Sequence, residues 1–226
     1  MTVMTTPRSK FRSNPSLQNH WELVYNSKNH AQVSWHQKHS TTSLDWILEH
    51  TKPSQDIIDV GSGVSILTDN LIEAGYSNLS AVELSKSAII ATQKRLGSKE
   101  SLVRFYCQNI LDFETDQRFD LWHDRALFHF LTCESEQKKY INTLNAHLEI
   151  GGYFLLATFA PDGPTICSNL DVASYDKKTI SALLADDFRM IKTASEDHNT
   201  PTGKLQKFNY FLLQKISTPP KKTGVV

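Results

Sequence analysis

The chain has 226 residues, 39% of them hydrophobic, enough to bury one substantial α/β core and too few for a second domain of useful size. Lysine plus arginine balances aspartate plus glutamate at 24 each, so the basic excess that accompanies phosphate-backbone binding is missing and a nucleic-acid substrate is disfavoured. The three cysteines, Cys107, Cys133 and Cys167, are far apart and show no CxxC spacing, which argues against a zinc site or a disulfide framework and for a reducing, cytoplasmic setting.

In chain order, residues 1–15 read as a disordered leader without a signal-peptide core, 16–215 as one domain opening on a cap segment, 16–50, and 216–226 as a disordered tail. No apolar run approaches the roughly 18 residues of a membrane helix. The cap holds Trp21, Tyr25 and Trp35 and a helix expected from Ser43 to His50. Short apolar runs then alternate with segments of helical spacing, the pattern of a parallel sheet flanked by helices. Strands are expected at Asp56–Val60, Leu79–Val82, Leu102–Tyr106, Phe119–Trp122, Tyr153–Phe159, Phe188–Thr193 and Leu205–Leu213. Between them, a helix from Val64 or Ser65 places Leu67, Leu71 and Ala74 on one face. The next has Ser85 as N-cap and ends at Gly97, and a later stripe of Tyr140, Ile141, Leu144 and Leu148 stops at Gly151 and Gly152. The connection "APDGPTICSNLDVASY" follows the fifth strand, where long loops commonly build binding sites.

The stretch "DIIDVGSGVSILTDNL" carries the chemistry. Gly61 and Gly63 follow the first strand directly: Gly61 permits a backbone geometry that a Cβ hinders, and Gly63 allows a ligand close to the main chain. The helix that follows offers unpaired N–H groups to a polar or anionic group. Glu83, at the end of the second strand, is placed to accept hydrogen bonds from ribose hydroxyls, so the stretch reads as a nucleoside-cofactor cradle. A dinucleotide site wants GxGxxG, and Ile66 stands at the third glycine. A nucleotide-linked oxidoreductase is therefore the weaker alternative.

Asp59, Gly61 and Gly63, with Ser65 at a third glycine position, resemble motif I of the class I S-adenosylmethionine-dependent methyltransferases. "HWELVY", "VSW", "DVGSGVS", "VELS" and "HDRALFHFL" look more narrowly like the group that includes lysine methyltransferases of translation elongation factor and citrate synthase, and the downstream segments are similar to bacterial methyltransferases of unassigned acceptor. The resemblance implies a Rossmann-like, seven-stranded, mostly parallel sheet with helices on both faces and the last strand antiparallel. It implies S-adenosylmethionine held by Trp21, Tyr25, Trp35, Asp59, Gly61, Gly63, Glu83, Leu84, Asn109, Ile110 and Arg125. In that arrangement Asp59 meets the donor's ammonium, while Asn109 and the Ile110 N–H read adenine.

His123 and Asp124 are then the candidates for orienting the acceptor or taking its proton. Asp124 has a plainer alternative as an ion pair with Arg125 that fixes the turn, and Arg125 itself suits the cofactor or an acceptor carboxylate. His129, one helical turn past Arg125, reads as a packed surface residue. The acceptor stays open between a small molecule and a protein side chain: the lysine-methyltransferase resemblance favours the protein, whereas Val24 and Arg125, where that group carries arginine and lysine, favour the small molecule. A catalytically silent donor-binding module is the remaining alternative. No metal site is expected, and nothing bears on oligomeric state.

Overall fold

A computed structural model describes residues 15–27, 33–37 and 41–216. The expected leader and tail fall almost wholly on residues 1–14 and 217–226, outside the described residues. Two helices open the chain, α1 (Pro15–Ser27) and α2 (Thr41–His50). A βα alternation follows: β1 (Ile57–Val60), α3 (Leu67–Glu73), β2 (Leu79–Glu83), α4 (Lys86–Leu96), β3 (Val103–Cys107) and β4 (Phe119–Arg125). Next come α5 (Glu134–His147), β5 (Leu148–Phe159), a small hairpin β6 (Ile166–Cys167) and β7 (Leu170–Asp171), α6 (Lys177–Leu184), β8 (Phe188–Asn199) and β9 (Leu205–Lys215).

Seven strands form one sheet in the order β3-β2-β1-β4-β5-β9-β8. The pairs from β3 to β5 are parallel, and β9 runs antiparallel to both β5 and β8. Strand order reverses between β1 and β4, so the crevice beyond their carboxyl ends is where a sheet of this kind holds a ligand. This is the expected architecture, the last strand being inserted antiparallel.

The strand period of two divides the core into two layers. Ile58, Val60, Trp122, Phe154 and Leu156 pack on one face with Tyr140 and Leu144 of α5 and Ile180 and Leu184 of α6. Ile57, Leu121, Leu155 and Tyr210 pack on the other with Ile47 of α2 and Leu67 and Leu71 of α3. Asp59 and His123, register partners on β1 and β4, share this second face.

Several local expectations change. The first crossover helix starts at Leu67, because residues 61–66 form the turn that the two glycines shape. The helix before β5 ends at His147, and Leu148 already belongs to the strand, which runs through Gly151 and Gly152. Its end is closed from afar: the buried Lys215 ammonium donates to the carbonyls of Asn145 and Leu148, both at 2.7 Å. His129 is no surface residue. Fully buried, its ring lies 4.5 Å from that of Phe159, and burial pushes its pKa down to about 3, leaving it neutral. Among the described residues no helix is long and apolar enough to cross a membrane.

Candidate active site

The β1–α3 turn sits at the switch point and is held from below. Gly61 and Gly63 both have left-handed backbone, φ +64° and +51°. At the end of β2 the Glu83 carboxylate accepts from the Gly63 N–H at 2.8 Å with one oxygen and from the Ser85 N–H at 2.8 Å with the other. Glu83 therefore pins the glycine turn while facing the space beside it. Burial pushes its pKa up to about 7 against the opposing pull of those N–H groups.

Beside this turn lies a cavity of about 690 Å³, counted with its open mouth, in the usual range of small-molecule sites, roughly 300–1,000 Å³. Gly61, Glu83, Leu84, Asn109 and Ile110 line one side. Trp21 and Tyr25 of α1, Trp35 and Phe130 form an aromatic wall opposite, with ring centroids 5.3–6.1 Å apart. Cys167, in the hairpin after β5, and Leu127 also line it. Asn109 caps the 3-10 turn Ile110–Asp112, its side-chain oxygen accepting from the Leu111 N–H at 3.0 Å.

A second cavity of about 450 Å³ adjoins the first, sharing Trp35, Gly61 and Arg125 with it and adding Asp59, Ser62, Ser65 and His123. Two buried atoms of opposite charge at its border lack hydrogen-bond partners: Oδ2 of Asp59 and Nη2 of Arg125. Arg125 is otherwise well fixed. Its Nε donates to the Tyr210 hydroxyl at 3.0 Å and its Nη1 to the Trp35 carbonyl at 3.0 Å, and the guanidinium lies 4.6 Å from the Phe208 ring centroid. The nearest carboxylate to Nη2, that of Glu196, stands 3.9 Å away and accepts instead from Gln37, Thr42 and Tyr210.

All the residues expected to hold a cofactor line one or other cavity except Gly63, whose open side is taken by Tyr25: a Cβ there would meet the Tyr25 hydroxyl at 2.3 Å. A Cβ on Gly61 would strike Leu127 at 2.6 Å, so that glycine is required by protein packing as well as by its φ.

Of the two residues expected to serve the acceptor, His123 lines the second cavity and Asp124 lines neither. Asp124 is wholly buried and lines neither cavity; one oxygen accepts from the N–H groups of Leu127 (3.0 Å) and Phe128 (3.1 Å), the other from the Tyr140 hydroxyl at 2.6 Å. It fixes the turn after β4, as its plainer alternative held, but through these donors and not through Arg125. Burial pushes its pKa up to about 6. His123 borders the second cavity with both ring nitrogens engaged, Nδ1 with Asp59 Oδ1 at 2.6 Å and Nε2 with Ser43 Oγ at 2.9 Å.

Sequence reasoning passed over Glu22, Ser43, Leu127 and Phe130. Their partners lie 64 or more residues away for Glu22 and Ser43, so no local spacing points to them.

Comparison with known proteins agrees with the geometry. A methyltransferase-domain family model matches residues 51–215, most of the chain. Human EEF1A lysine methyltransferase 2 is 21% identical over 156 residues, 62% of this chain and 66% of that protein. Malonyl-[acyl-carrier protein] O-methyltransferase of Acetivibrio thermocellus is 29% identical over 136 residues, 59% of this chain and 46% of that one. The chain thus spans at most about two thirds of the length of such relatives.

Among solved structures, a methyltransferase from Anabaena variabilis superposes with a TM-score of 0.71 at 12% identity, covering 95% of this chain and all of that one. The Burkholderia thailandensis 1,6-didemethyltoxoflavin-N1-methyltransferase, bound to S-adenosylhomocysteine, does so at 0.69 and 18% identity, covering 96% and 93%. Strand order, glycine turn, acidic β2 end and family match converge: the chain belongs to the class I S-adenosylmethionine-dependent methyltransferases.

Proposed function

We propose that the protein binds S-adenosylmethionine across the two joined cavities and transfers its methyl group to an acceptor entering beside the aromatic wall. The observation that carries this is the pair of partnerless buried atoms, Asp59 Oδ2 and Arg125 Nη2, at the border of one small cavity. A buried polar atom without a hydrogen bond is costly, and one on a carboxylate beside one on a guanidinium suit a zwitterion, the α-amino-acid end of this donor. Its nucleoside end then falls in the larger cavity, where Glu83 accepts from the ribose and Asn109 and the Ile110 N–H meet the adenine.

When bound, the donor supplies an electrophilic methyl on a sulfonium, and the reaction needs a nucleophile in line with the methyl–sulfur bond. This chain supplies position and exclusion of water. The faces of Trp21, Tyr25 and Trp35 favour a cation and shield it from solvent. Asp124, which lines neither cavity, holds the β4 turn that presents Arg125, Ala126 and Leu127 to the larger one. We assign it and His123 to positioning, and leave the acceptor to lose its own proton to solvent.

The relatives named for lysine and for a malonyl thioester bracket the acceptor between a protein side chain and a small or carrier-borne molecule. We extend the proposal to a cytosolic enzyme, since none of the three cysteines forms a disulfide. Calorimetric titration of cofactor-free protein with S-adenosylmethionine, S-adenosylhomocysteine and NAD tests the reading. Selective binding of the first two is expected, and binding of NAD alone would replace it with the oxidoreductase. Donor binding with no methyl incorporation into either proteins or metabolites of a cell extract would leave a silent binding module.

A further inference from the structure

Behind the Asp59 carboxylate, His123 and Ser43 continue a buried chain of contacts. Their exposures are 5%, 3% and 1%, so all three are closed off from bulk water. Asp59 and His123 face each other from neighbouring strands, and Ser43 reaches His123 from α2, a helix of the cap segment. The order of contacts is that of a hydrolase triad. Ser43, however, lines neither cavity and is almost wholly buried, so no acyl group reaches its oxygen.

We propose that His123 is a positioning residue for the donor's ammonium group: its hydrogen bond takes one oxygen of Asp59 and leaves the other, Oδ2, committed to the ligand. This rests on the donor-binding reading above. At 2.6 Å the His123 Nδ1 to Asp59 Oδ1 contact is a short, charge-assisted hydrogen bond, which fixes the rotation of the carboxylate. Nδ1–H donates to Asp59, and Nε2 accepts from the Ser43 hydroxyl in the neutral ring. Ser43 thereby holds the imidazole edge-on to Asp59 and ties the cap segment to the ligand site. Without the imidazole both carboxylate oxygens would be buried without a hydrogen bond, and the group would turn away from the ligand.

The experiment compares two ligands on the intact protein by calorimetry. S-adenosylhomocysteine carries the amino-acid end; 5′-methylthioadenosine keeps the adenosine and the thioether and lacks it. His123→Leu is expected to weaken S-adenosylhomocysteine about tenfold or more while changing 5′-methylthioadenosine less than about threefold. His123→Asn, which retains an N–H close to the place of Nδ1, should recover most of that loss. Asp59→Asn should lose the same selectivity, and His123→Leu with Asp59→Asn should lose little more than either alone.

Equal weakening of both ligands by His123→Leu, or no change in either, would show a purely structural histidine and overturn the proposal. Should His123→Leu fail to fold, Ser43→Ala gives the same decision: a loss of about two- to fivefold confined to S-adenosylhomocysteine supports it, and an unchanged or evenly lowered pair of affinities sinks it. If the wild-type protein binds neither ligand, or binds both equally, the donor reading itself has failed.

Discussion

The Tyr25 hydroxyl rests against the bare Cα of Gly63, in the place where a Cβ would lie 2.3 Å from it. The contact joins α1 to the glycine turn, so the cap and the cradle are fitted to one another across 38 residues of chain. Gly63→Ala should push the tyrosine off the turn and strain a backbone at φ +51°, with a cost of about 1–3 kcal/mol. Affinity for S-adenosylhomocysteine should fall with stability. Tyr25→Phe in the same chain removes the closest atom and leaves the ring carbon at 3.2 Å, so the double variant should recover part of the loss. A double variant no better than Gly63→Ala would mean that the backbone strain alone is at issue.

Asp124 offers a cleaner separation of roles. Asn can still accept from the Leu127 and Phe128 N–H groups, and its amide can donate to the Tyr140 oxygen in place of accepting from it. Asp124→Asn should therefore fold, bind S-adenosylhomocysteine normally and keep turnover within a few-fold. A loss of turnover of 100-fold or more with affinity intact would return Asp124 to the chemistry. The sign with pH is fixed by the raised pKa: the unfolded carboxyl ionises near 3.8 and the folded one at about 6. The contribution of Asp124 to stability is thus fully present below the lower value and is lost as pH rises through the upper, by about 3 kcal/mol. Denaturant unfolding between pH 4 and 8 should show that decrement shrinking in Asp124→Asn.

What the sequence disclosed follows from which forces are local. The seven strands could be read because each is a short apolar run between turn residues, and Ser85 and Gly97 mark the ends of α4 where the structure puts them. Glu83 and the glycines were legible from spacing along a single βαβ unit. The α1 helix was missed although Leu17, Trp21 and Val24 fall on one helical stripe, because its anchors, Leu84 and the N-terminus of α4, are distant in sequence. Helix α6 was missed despite a capping box between Asp176 and Thr179, a local signal that was there to be read. The places of Asp124 and His123 turned on Tyr140 and Ser43, which no spacing connects to them.

Glu22 on α1 should govern how long a ligand stays. Ser85 caps α4 through the Ala88 N–H, and Glu22 takes two of the remaining donors, Lys86 N–H at 2.6 Å and Ser87 N–H at 3.2 Å. Gln18, one turn away, donates to the Leu84 carbonyl at 3.2 Å. These contacts hold the helix that carries Trp21 and Tyr25 over the larger cavity. Glu22→Ala removes a cap worth roughly 0.5–2 kcal/mol, and dissociation of S-adenosylhomocysteine should quicken about three- to tenfold. Stopped-flow displacement reads this directly; an unchanged rate would mean that α1 does not move for release.

Glu83 should make donor binding release a proton. Its pKa of about 7 in the ligand-free protein is set by burial, which already excludes water, so a ligand adds little further penalty. Ribose hydroxyls donate to the ionised carboxylate and favour it, moving the pKa below 7 on binding. Affinity for S-adenosylhomocysteine should consequently rise as pH goes from 6 to 8, and at pH 7 about half a proton per site should leave. Titration in buffers of different ionisation enthalpy measures that number. Glu83→Gln keeps an oxygen to accept from one of the two N–H groups, loses about tenfold or more in affinity and abolishes the proton release. A proton count that survives the substitution would assign the release to another group and remove the ribose from Glu83.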